Sequence, residues 1–137
     1  MLKVEIFVFR IINKKVQYLL LKRIKEKGEF WQPVTGGVEK DESLIKAALR
    51  EIKEEIGINS FVRIIKNLHK FKVDNENSYE EHIFGVEIKP EQSIDINNNI
   101  YQEHSEYKWC YYGKALKMLK WEGNKNGLIN LSKRLNA

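Results

Sequence analysis

Residues 36–58, which read GGVEKDESLIKAALREIKEEIGI, decide the fold of this chain. Apolar residues recur in this segment at helical spacing and predict a helix with one face toward a core; they are Leu44, Ala47, Ala48, Ile52 and Ile56. Asp41 or Ser43 can cap its start, because both side chains accept hydrogen bonds from unpaired backbone N–H groups. Gly57 is placed to end the helix, since glycine readily adopts the left-handed conformation found there.

Three carboxylates, Glu51, Glu54 and Glu55, lie on one face of this predicted helix. At about 3.6 residues per turn, positions three and four apart are neighbours. Their mutual repulsion costs free energy that helix formation does not require. Arg50 can offset part of the repulsion, and a divalent cation can offset the rest. Magnesium prefers such oxygen ligands, usually one or two carboxylates together with waters and substrate phosphates.

A glycine pair, Gly36 and Gly37, comes shortly before the helix. Without a Cβ atom, glycine lets the backbone approach a phosphate or a metal closely. The loop could supply a carbonyl oxygen to a metal or N–H groups to phosphate oxygens. The helix face and its leading loop are therefore predicted to hold a metal–pyrophosphate unit between them.

The spacing of these residues resembles the Nudix box, G-x5-E-x7-R-E-U-x-E-E-x-G-U with U aliphatic. The chain matches at every specified position, with Gly36, Glu42, Arg50-Glu51-Ile52, Glu54-Glu55 and Gly57-Ile58. By this resemblance the chain is identified as a member of the Nudix hydrolases. These enzymes hydrolyse nucleoside diphosphates linked to another group. An enzyme is expected, because the carboxylate set is complete.

The resemblance implies a role for each residue of the box. Glu51 and Glu55 are implied as magnesium ligands, with manganese as a possible substitute, and Glu54 as a further ligand or a base. Gly36 resembles the residue that gives a backbone carbonyl to the metal. Arg50 would steady the glutamates. Glu42 either supports the loop through hydrogen bonds or is a helix-start carboxylate favoured by the macrodipole.

A second resemblance lies in residues 101–109, which read YQEHSEYKW. The pattern of Glu-His followed by Tyr and Trp also stands near the end of some Nudix subfamilies, where its glutamate reaches the metal site. Glu103 is therefore expected as a metal ligand or the general base, with an exposed loop residue as the alternative. His104 suits packing or capping at least as well as catalysis.

The segment before the box indicates the substrate class. Phe30-Trp31-Gln32 followed by Val34-Thr35-Gly36 resembles the dihydroneopterin triphosphate pyrophosphatases, some of which accept deoxynucleoside triphosphates such as dATP. These enzymes release pyrophosphate. Diadenosine tetraphosphate hydrolases share the tryptophan but usually carry Pro-Lys-Gly-His before the box. A non-catalytic binder and an enzyme acting on RNA 5′ ends are further alternatives.

Substrate contacts are expected from four residues: Arg23, Thr35, Trp31 and Lys3. An arginine suits phosphate because its planar fork donates two hydrogen bonds, although Arg23 could simply be solvated at a strand end. Aromatic rings can stack on a base or pterin, and Trp31, Phe30 and Tyr101 are candidates, with a place in the core as the alternative.

The rest of the pattern predicts one α+β domain over residues 1–137. Strand-like stretches at 4–9, 16–21, 31–38, 61–71, 82–88 and 107–111 and helices at 114–120 and 127–135 surround the central helix. The expected fold is the Nudix fold, an α/β/α sandwich with a mixed, mostly antiparallel sheet.

Composition excludes several classes. With 42% hydrophobic and 31% charged residues, disorder is not expected. No apolar run approaches the roughly 20 residues of a membrane span. The single cysteine, Cys110, points to the reducing cytoplasm. The net charge of +5 is spread along the chain, which favours a small phosphorylated ligand over nucleic acid. A monomer and a homodimer both remain open.

Overall fold

The computed structural model describes residues 1–74, 78–97 and 102–136. Its strands are β1 (Leu2–Ile12), β2 (Lys15–Arg23), β3 (Trp31–Gln32), β4 (Val34–Gly37), β5 (Arg63–Val73), β6 (Tyr79–Glu87) and β7 (His104–Cys110). Its α-helices are α1 (Leu44–Ile56), α2 (Tyr112–Met118) and α3 (Glu122–Leu135), with a short 3₁₀ helix at Lys25–Lys27.

The sheet is mixed and mostly antiparallel, as predicted. Its strands follow the order β3-β2-β1-β6-β5, while β4 also pairs with β1 and β7 with β2. The central pair β1–β6 is parallel, and the other pairings between these seven strands are antiparallel. Since β1 joins β2, β4 and β6, it brings the loop before α1 and the start of β6 together.

Side chains that alternate along β1 enter two separate hydrophobic cores, one on each face of the sheet. Val4, Ile6 and Val8 belong to the core shared with α1, whereas Phe7 and Phe9 belong to the core shared with α2 and α3. Each such side chain, when fully buried, contributes about 1.5–3 kcal/mol relative to an exposed one. The sheet is therefore covered on both faces, which confirms the α/β/α sandwich.

Helix α1 follows its sequence pattern closely. The Ser43 hydroxyl accepts a hydrogen bond from the Lys46 N–H at 3.1 Å, so Ser43 rather than Asp41 is the N-cap. Gly57 ends the helix at a φ of 73° and its N–H donates to the Lys53 carbonyl. The helix thus holds the box glutamates at fixed positions on one rigid element.

The C-terminal helix begins earlier than its sequence predicts, at Glu122 instead of residue 127. Gly123 is a weak helix former, yet a Cβ there would lie 2.6 Å from the Phe71 ring. At Gly127, a Cβ would lie 2.5 Å from Ile83. Both glycines let α3 pack against the sheet, so tertiary contact overrides local propensity and places Asn124 beside β1.

Candidate active site

Arg50 connects α1 to the loop before it. Its guanidinium donates to both Glu42 carboxylate oxygens at 2.8 and 2.9 Å, to Glu51 at 2.8 Å and to the Gly37 carbonyl at 2.7 Å. A longer bond of 3.3 Å reaches Glu54. These bonds raise the pKa of Arg50, and Arg50 holds the pKa of Glu42 at about 2. Arg50 therefore stays charged and holds Glu42, Glu51 and the Gly37 carbonyl in place.

Glu42 also accepts a hydrogen bond from the Glu39 N–H at 3.0 Å. Glu42 therefore connects two points of this loop to each other and also connects the loop to Arg50. The helix-start role predicted as an alternative needs no such contacts. The contacts of Glu42 in the structure are those of a residue that supports the loop.

Gly36 lies directly against the Glu51 carboxylate. A Cβ added at Gly36 would stand 1.9 Å from the Glu51 carboxyl carbon, so any larger residue would force the Glu51 side chain to move. Glu51 is 8% exposed, and its burial raises its pKa to about 7. The backbone of Gly36 and a buried carboxylate are thus side by side, which is the arrangement that a shared metal ligand set requires.

A buried chain of hydrogen bonds through His104 and Gln32 holds Glu55 in place. His104 Nδ1 lies 3.0 Å from Glu55 Oε2, and His104 Nε2 lies 3.0 Å from the Gln32 amide nitrogen. Because an amide nitrogen only donates, His104 Nε2 accepts and its proton resides on Nδ1. The imidazole therefore donates to the Glu55 carboxylate and fixes its orientation.

Pairing of β7 with β2 brings Glu103 to the same place. The Ile24 N–H donates to the Glu103 carbonyl at 3.1 Å, and Arg23 pairs with His104 in the sheet. Ligand atoms of Glu55, Glu103 and His104 lie within 4.8 Å of one another. Because both His104 nitrogens are engaged by Glu55 and Gln32, the atoms that can bind a cation are the carboxylate oxygens. Glu51, which lies against Gly36 and near Glu55, adds a further carboxylate, and such an oxygen-rich set fits a hard divalent cation.

Glu54 differs from its two neighbours in the box. Its side chain is 50% exposed, whereas Glu51 and Glu55 are buried. Arg50 contacts it only through the longer bond already described. Glu54 is therefore free to reach solvent, and its predicted role as ligand or base stays a prediction.

A cleft of about 710 Å³ adjoins this carboxylate cluster. Three of the four residues predicted to contact the substrate line it, namely Lys3, Arg23 and Thr35, together with Gly36 and Glu103. The Arg23 Nε is buried and has no hydrogen-bond partner among the described residues. An unpaired buried donor of a charged group is costly, and a ligand oxygen would satisfy it.

Trp31, the fourth residue, does not line the cleft. It packs partly buried beside Leu119 at the core of α2 and α3, with the Lys108 ammonium 5.5 Å from its ring. The aromatic residues at the cleft include Phe30 and Trp121, whose rings meet edge to face at 6.2 Å. Tyr101 lies outside the described residues.

Family membership is decided by comparison with known proteins. The family model for the NUDIX domain matches residues 1–131 of this chain. This chain belongs to the Nudix family. It is therefore an enzyme that acts on pyrophosphate bonds, and Nudix hydrolases use divalent metal ions, which the carboxylate cluster suits.

Relatives of this Nudix chain carry names that state different activities. An RNA pyrophosphohydrolase of Orientia tsutsugamushi is 32% identical over 72% of this chain and 69% of its own length. The dihydroneopterin triphosphate diphosphatase of Escherichia coli is 26% identical over 91% and 89%. A Myxococcus xanthus octanoyltransferase is 30% identical over 88% of this chain, which spans 33% of that protein. The substrate therefore does not follow from these relatives.

A solved structure agrees with the Nudix fold. A NUDIX hydrolase from Listeria monocytogenes superposes with a TM-score of 0.86 at 25% identity and covers 99% of this chain and 94% of its own. This likeness confirms the predicted fold class. Among the described residues, no helix is long and apolar enough to cross a membrane.

The sequence prediction missed a polar cluster at the floor of the Nudix cleft. Glu5, Glu81 and Asn124 are all buried, and Glu81 and Asn124 line the cleft. One sequence feature could have indicated it. Glu5 alternates in phase with Phe7 and Phe9, so the strand pattern places a carboxylate on a buried face. The position of Trp121 at the cleft could not be predicted from the sequence either, because it depends on the tertiary fold.

Replacing His104 by Ala is expected to lower kcat about 10–100-fold, because residues that orient metal ligands have effects of this size. The magnesium concentration for half-maximal activity should rise while KM for the substrate changes little. His104→Asn should recover part of the loss, since its amide can donate to Glu55. The control is His82→Ala, on β6. An unchanged magnesium requirement in His104→Ala would contradict the positioning role.

Magnesium is expected to raise the melting temperature more at about pH 8 than at about pH 5.5. The folded-state pKa of Glu51 is raised from 4.5 to about 7. Without metal, the stability that Glu51 contributes is therefore fully present below pH 4.5 and is lost as the pH rises through 7. Ionised Glu51 is then available to the cation. Differential scanning fluorimetry with and without magnesium measures the shift in melting temperature at each pH. Equal shifts at the two pH values, or the same difference in Glu51→Gln, would contradict this prediction.

Proposed function

We propose that this chain uses Mg²⁺ to hydrolyse a pyrophosphate bond in a nucleoside-triphosphate-like small molecule and releases pyrophosphate. Dihydroneopterin triphosphate and deoxynucleoside triphosphates such as dATP are the proposed substrates, and Mn²⁺ is a possible substitute for Mg²⁺. One observation carries the proposal. A single cleft combines the metal-site wall at Gly36 and Glu103, two cations at Lys3 and Arg23, and an aromatic pair.

The negative charge of the substrate's phosphates determines which groups the cleft must supply. A bound Mg²⁺ would neutralise phosphate charge and lower the pKa of attacking water, with Glu51, Glu55, Glu103 and the Gly36 carbonyl as its proposed ligands. The Arg23 guanidinium, with its unsatisfied Nε, would donate to phosphate oxygens in the cleft. Lys3 would add a second positive charge, since its ammonium lies at the cleft, 4.0 Å from the Tyr79 ring centroid.

Water attacks phosphorus, and one carboxylate must take its proton. Glu54 is one proposed base, and Glu103 is the other if it does not bind the metal. Glu103 lines the cleft and its carboxylate is only weakly held, by Lys27 at 4.0 Å. Glu54 does not line the cleft but is half-exposed on the helix face. Arg50 would hold the box glutamates during this transfer and would not exchange a proton, because its pKa is raised.

Aromatic rings supply a surface for the substrate's ring. Phe30 and Trp121 stand at the cleft, and the Lys120 ammonium lies 5.4 and 4.8 Å from their ring centroids. Trp121 is 51% exposed, an unusual position for so large an apolar side chain. A base or pterin stacked there would cover it.

A second candidate function is removal of pyrophosphate from a 5′-triphosphorylated RNA. The similarity to the Orientia tsutsugamushi RNA pyrophosphohydrolase favours it. The diffuse positive charge of the chain argues for the small molecule, because RNA binding generally uses a continuous basic surface. Diadenosine tetraphosphate is kept as a third substrate to test.

The test is release of pyrophosphate and phosphate in magnesium. The panel contains dihydroneopterin triphosphate, the four deoxynucleoside triphosphates, diadenosine tetraphosphate and a triphosphorylated RNA oligonucleotide, each run beside Glu55→Gln. Pyrophosphate from a free triphosphate, lost in the variant, is expected. Turnover of diadenosine tetraphosphate or RNA alone would replace the proposal by that activity. No turnover with magnesium or manganese would indicate a non-catalytic binder.

Three further features remain predictions. We propose one domain over residues 1–137, a cytoplasmic location and either a monomer or a homodimer. Gel filtration with light scattering measures the oligomeric state directly. Limited proteolysis that releases a stable fragment would contradict the single domain.

A further inference from the structure

Gln32 is a buried polar residue to which the proposed chemistry assigns no role. It is 6% exposed and lies in β3, a strand of two residues. Its backbone pairs with Leu21 of β2, which fixes the point from which the side chain extends. A buried amide is costly unless it is hydrogen-bonded, so the partner of this side chain is informative.

His104 is that partner, and it connects Gln32 to a glutamate of α1. The Gln32 amide nitrogen lies 3.0 Å from His104 Nε2, and His104 Nδ1 lies 3.0 Å from Glu55 Oε2. His104 and Glu55 are both buried, which keeps bulk water away from these bonds. With Nε2 protonated instead, Nδ1 would accept, and two acceptors would face each other at Glu55. The N–H of Gln32 therefore favours the position of the ring proton that suits the Glu55 carboxylate.

A shift in the register of β7 aims His104 at α1. Glu106 and His104 pair with consecutive residues of β2, so Ser105 between them has no partner there. Regular alternation would put His104 on the same face as Glu106, toward α2 and α3. An extra residue in one strand re-aims the side chain beside it, and such bulges are common next to active sites. The imidazole therefore faces α1, where its carboxylate partner lies.

We propose that Gln32 is a positioning residue that acts on Glu55 through His104. Its amide N–H holds the imidazole in the orientation that donates to the Glu55 carboxylate, so this carboxylate is already in place before a cation binds. The inference rests on the proposed function, because Glu55 is a proposed Mg²⁺ ligand there. Hydrogen-bonding partners behind metal ligands typically change metal affinity or activity about 10–100-fold.

Gln32 also lines the cleft, so direct contact with the substrate is the rival interpretation. The two roles predict different kinetics. Loss of a substrate contact raises KM and leaves kcat and the magnesium requirement unchanged. Loss of a positioning residue lowers kcat and raises the magnesium requirement, with little change in KM.

The first test observes the imidazole in the metal-free wild-type protein and needs no variant of Gln32. Two-dimensional ¹H–¹⁵N spectra at about pH 8, where an ordinary imidazole is neutral, show which ring nitrogen carries the proton. Comparison with His104→Ala identifies the His104 signals among those of the three histidines. A proton on Nδ1 is expected. A proton on Nε2 would refute the positioning role, because Gln32 would then have no acceptor on the ring.

The second test is a double-mutant cycle with Mg²⁺ alone, measured by titration calorimetry. Gln32→Leu should raise the dissociation constant of Mg²⁺ about tenfold, the lower end of the range for such partners. In His104→Ala the same replacement should cost little more, because Gln32 then has no imidazole through which to act. The control is Gln17→Leu, at a glutamine of β2 that accepts from Arg10. Equal losses in both backgrounds would overturn the inference.

The two proposals fail separately, since neither of these tests requires turnover. Weaker Mg²⁺ binding in Gln32→Leu that depends on His104, without hydrolysis of any free triphosphate, would refute the proposed function and support the positioning role. Hydrolysis of a free triphosphate, with KM alone raised in Gln32→Leu, would support the proposed function and show that Gln32 contacts the substrate instead.

Discussion

Gly36→Ala is expected to lower kcat/KM about 100-fold, the effect of displacing a catalytic group by about 1 Å. The new methyl group would lie 1.9 Å from the Glu51 carboxyl carbon and 2.2 Å from its Oε1, so the carboxylate must move. Overpacking also lowers the free energy of unfolding by about 1–3 kcal/mol. Steady-state kinetics and denaturant unfolding measure the two effects.

The neighbouring glycine provides a matched control. A Cβ at Gly37 would meet nothing within 4 Å, so Gly37→Ala should cost far less activity and stability than Gly36→Ala. Both variants add one methyl group to the same loop. Equal losses in the two variants would show that loop flexibility, and not contact with Glu51, limits the enzyme.

Glu55→Gln is expected to lower kcat about 1000-fold, within the range of losing a group that acts directly in the chemical step. Glutamine keeps the shape and can still accept a hydrogen bond from His104, but it loses the negative charge that would hold the cation. Activity should require more magnesium, which a metal titration of kcat measures. Glu91→Gln, the same replacement at an exposed position, is the control.

Comparison with Glu54→Gln separates ligand from base. If Glu54 is the base, kcat falls in that variant while the magnesium requirement stays at the wild-type value. If Glu55 is a ligand, both quantities change in Glu55→Gln. Wild-type magnesium dependence in Glu55→Gln would remove Glu55 from the proposed ligand set.

Much of the site could be predicted because it is local in sequence. Helix α1 carries its apolar stripe, its Ser43 cap and its terminal Gly57 within one short segment. Helical geometry then fixes which face Glu51, Glu54 and Glu55 share. The spacing to Gly36 identified the loop that meets this face. Local patterns did not reveal that Glu54 is exposed while its two neighbours are buried, because burial depends on what packs over the helix.

Long-range pairing determined the rest. The sequence by itself determined the α1 helix, its carboxylate face, the glycine loop and the family. Only the tertiary structure placed His104 and Gln32 behind Glu55, because β7 and β3 must both pair with β2. Only the fold put Asn124 against Glu5, since the two are 119 positions apart. Hydrogen bonds between distant strands and helices leave no periodic pattern in the sequence, so the floor of the cleft had to be seen in three dimensions.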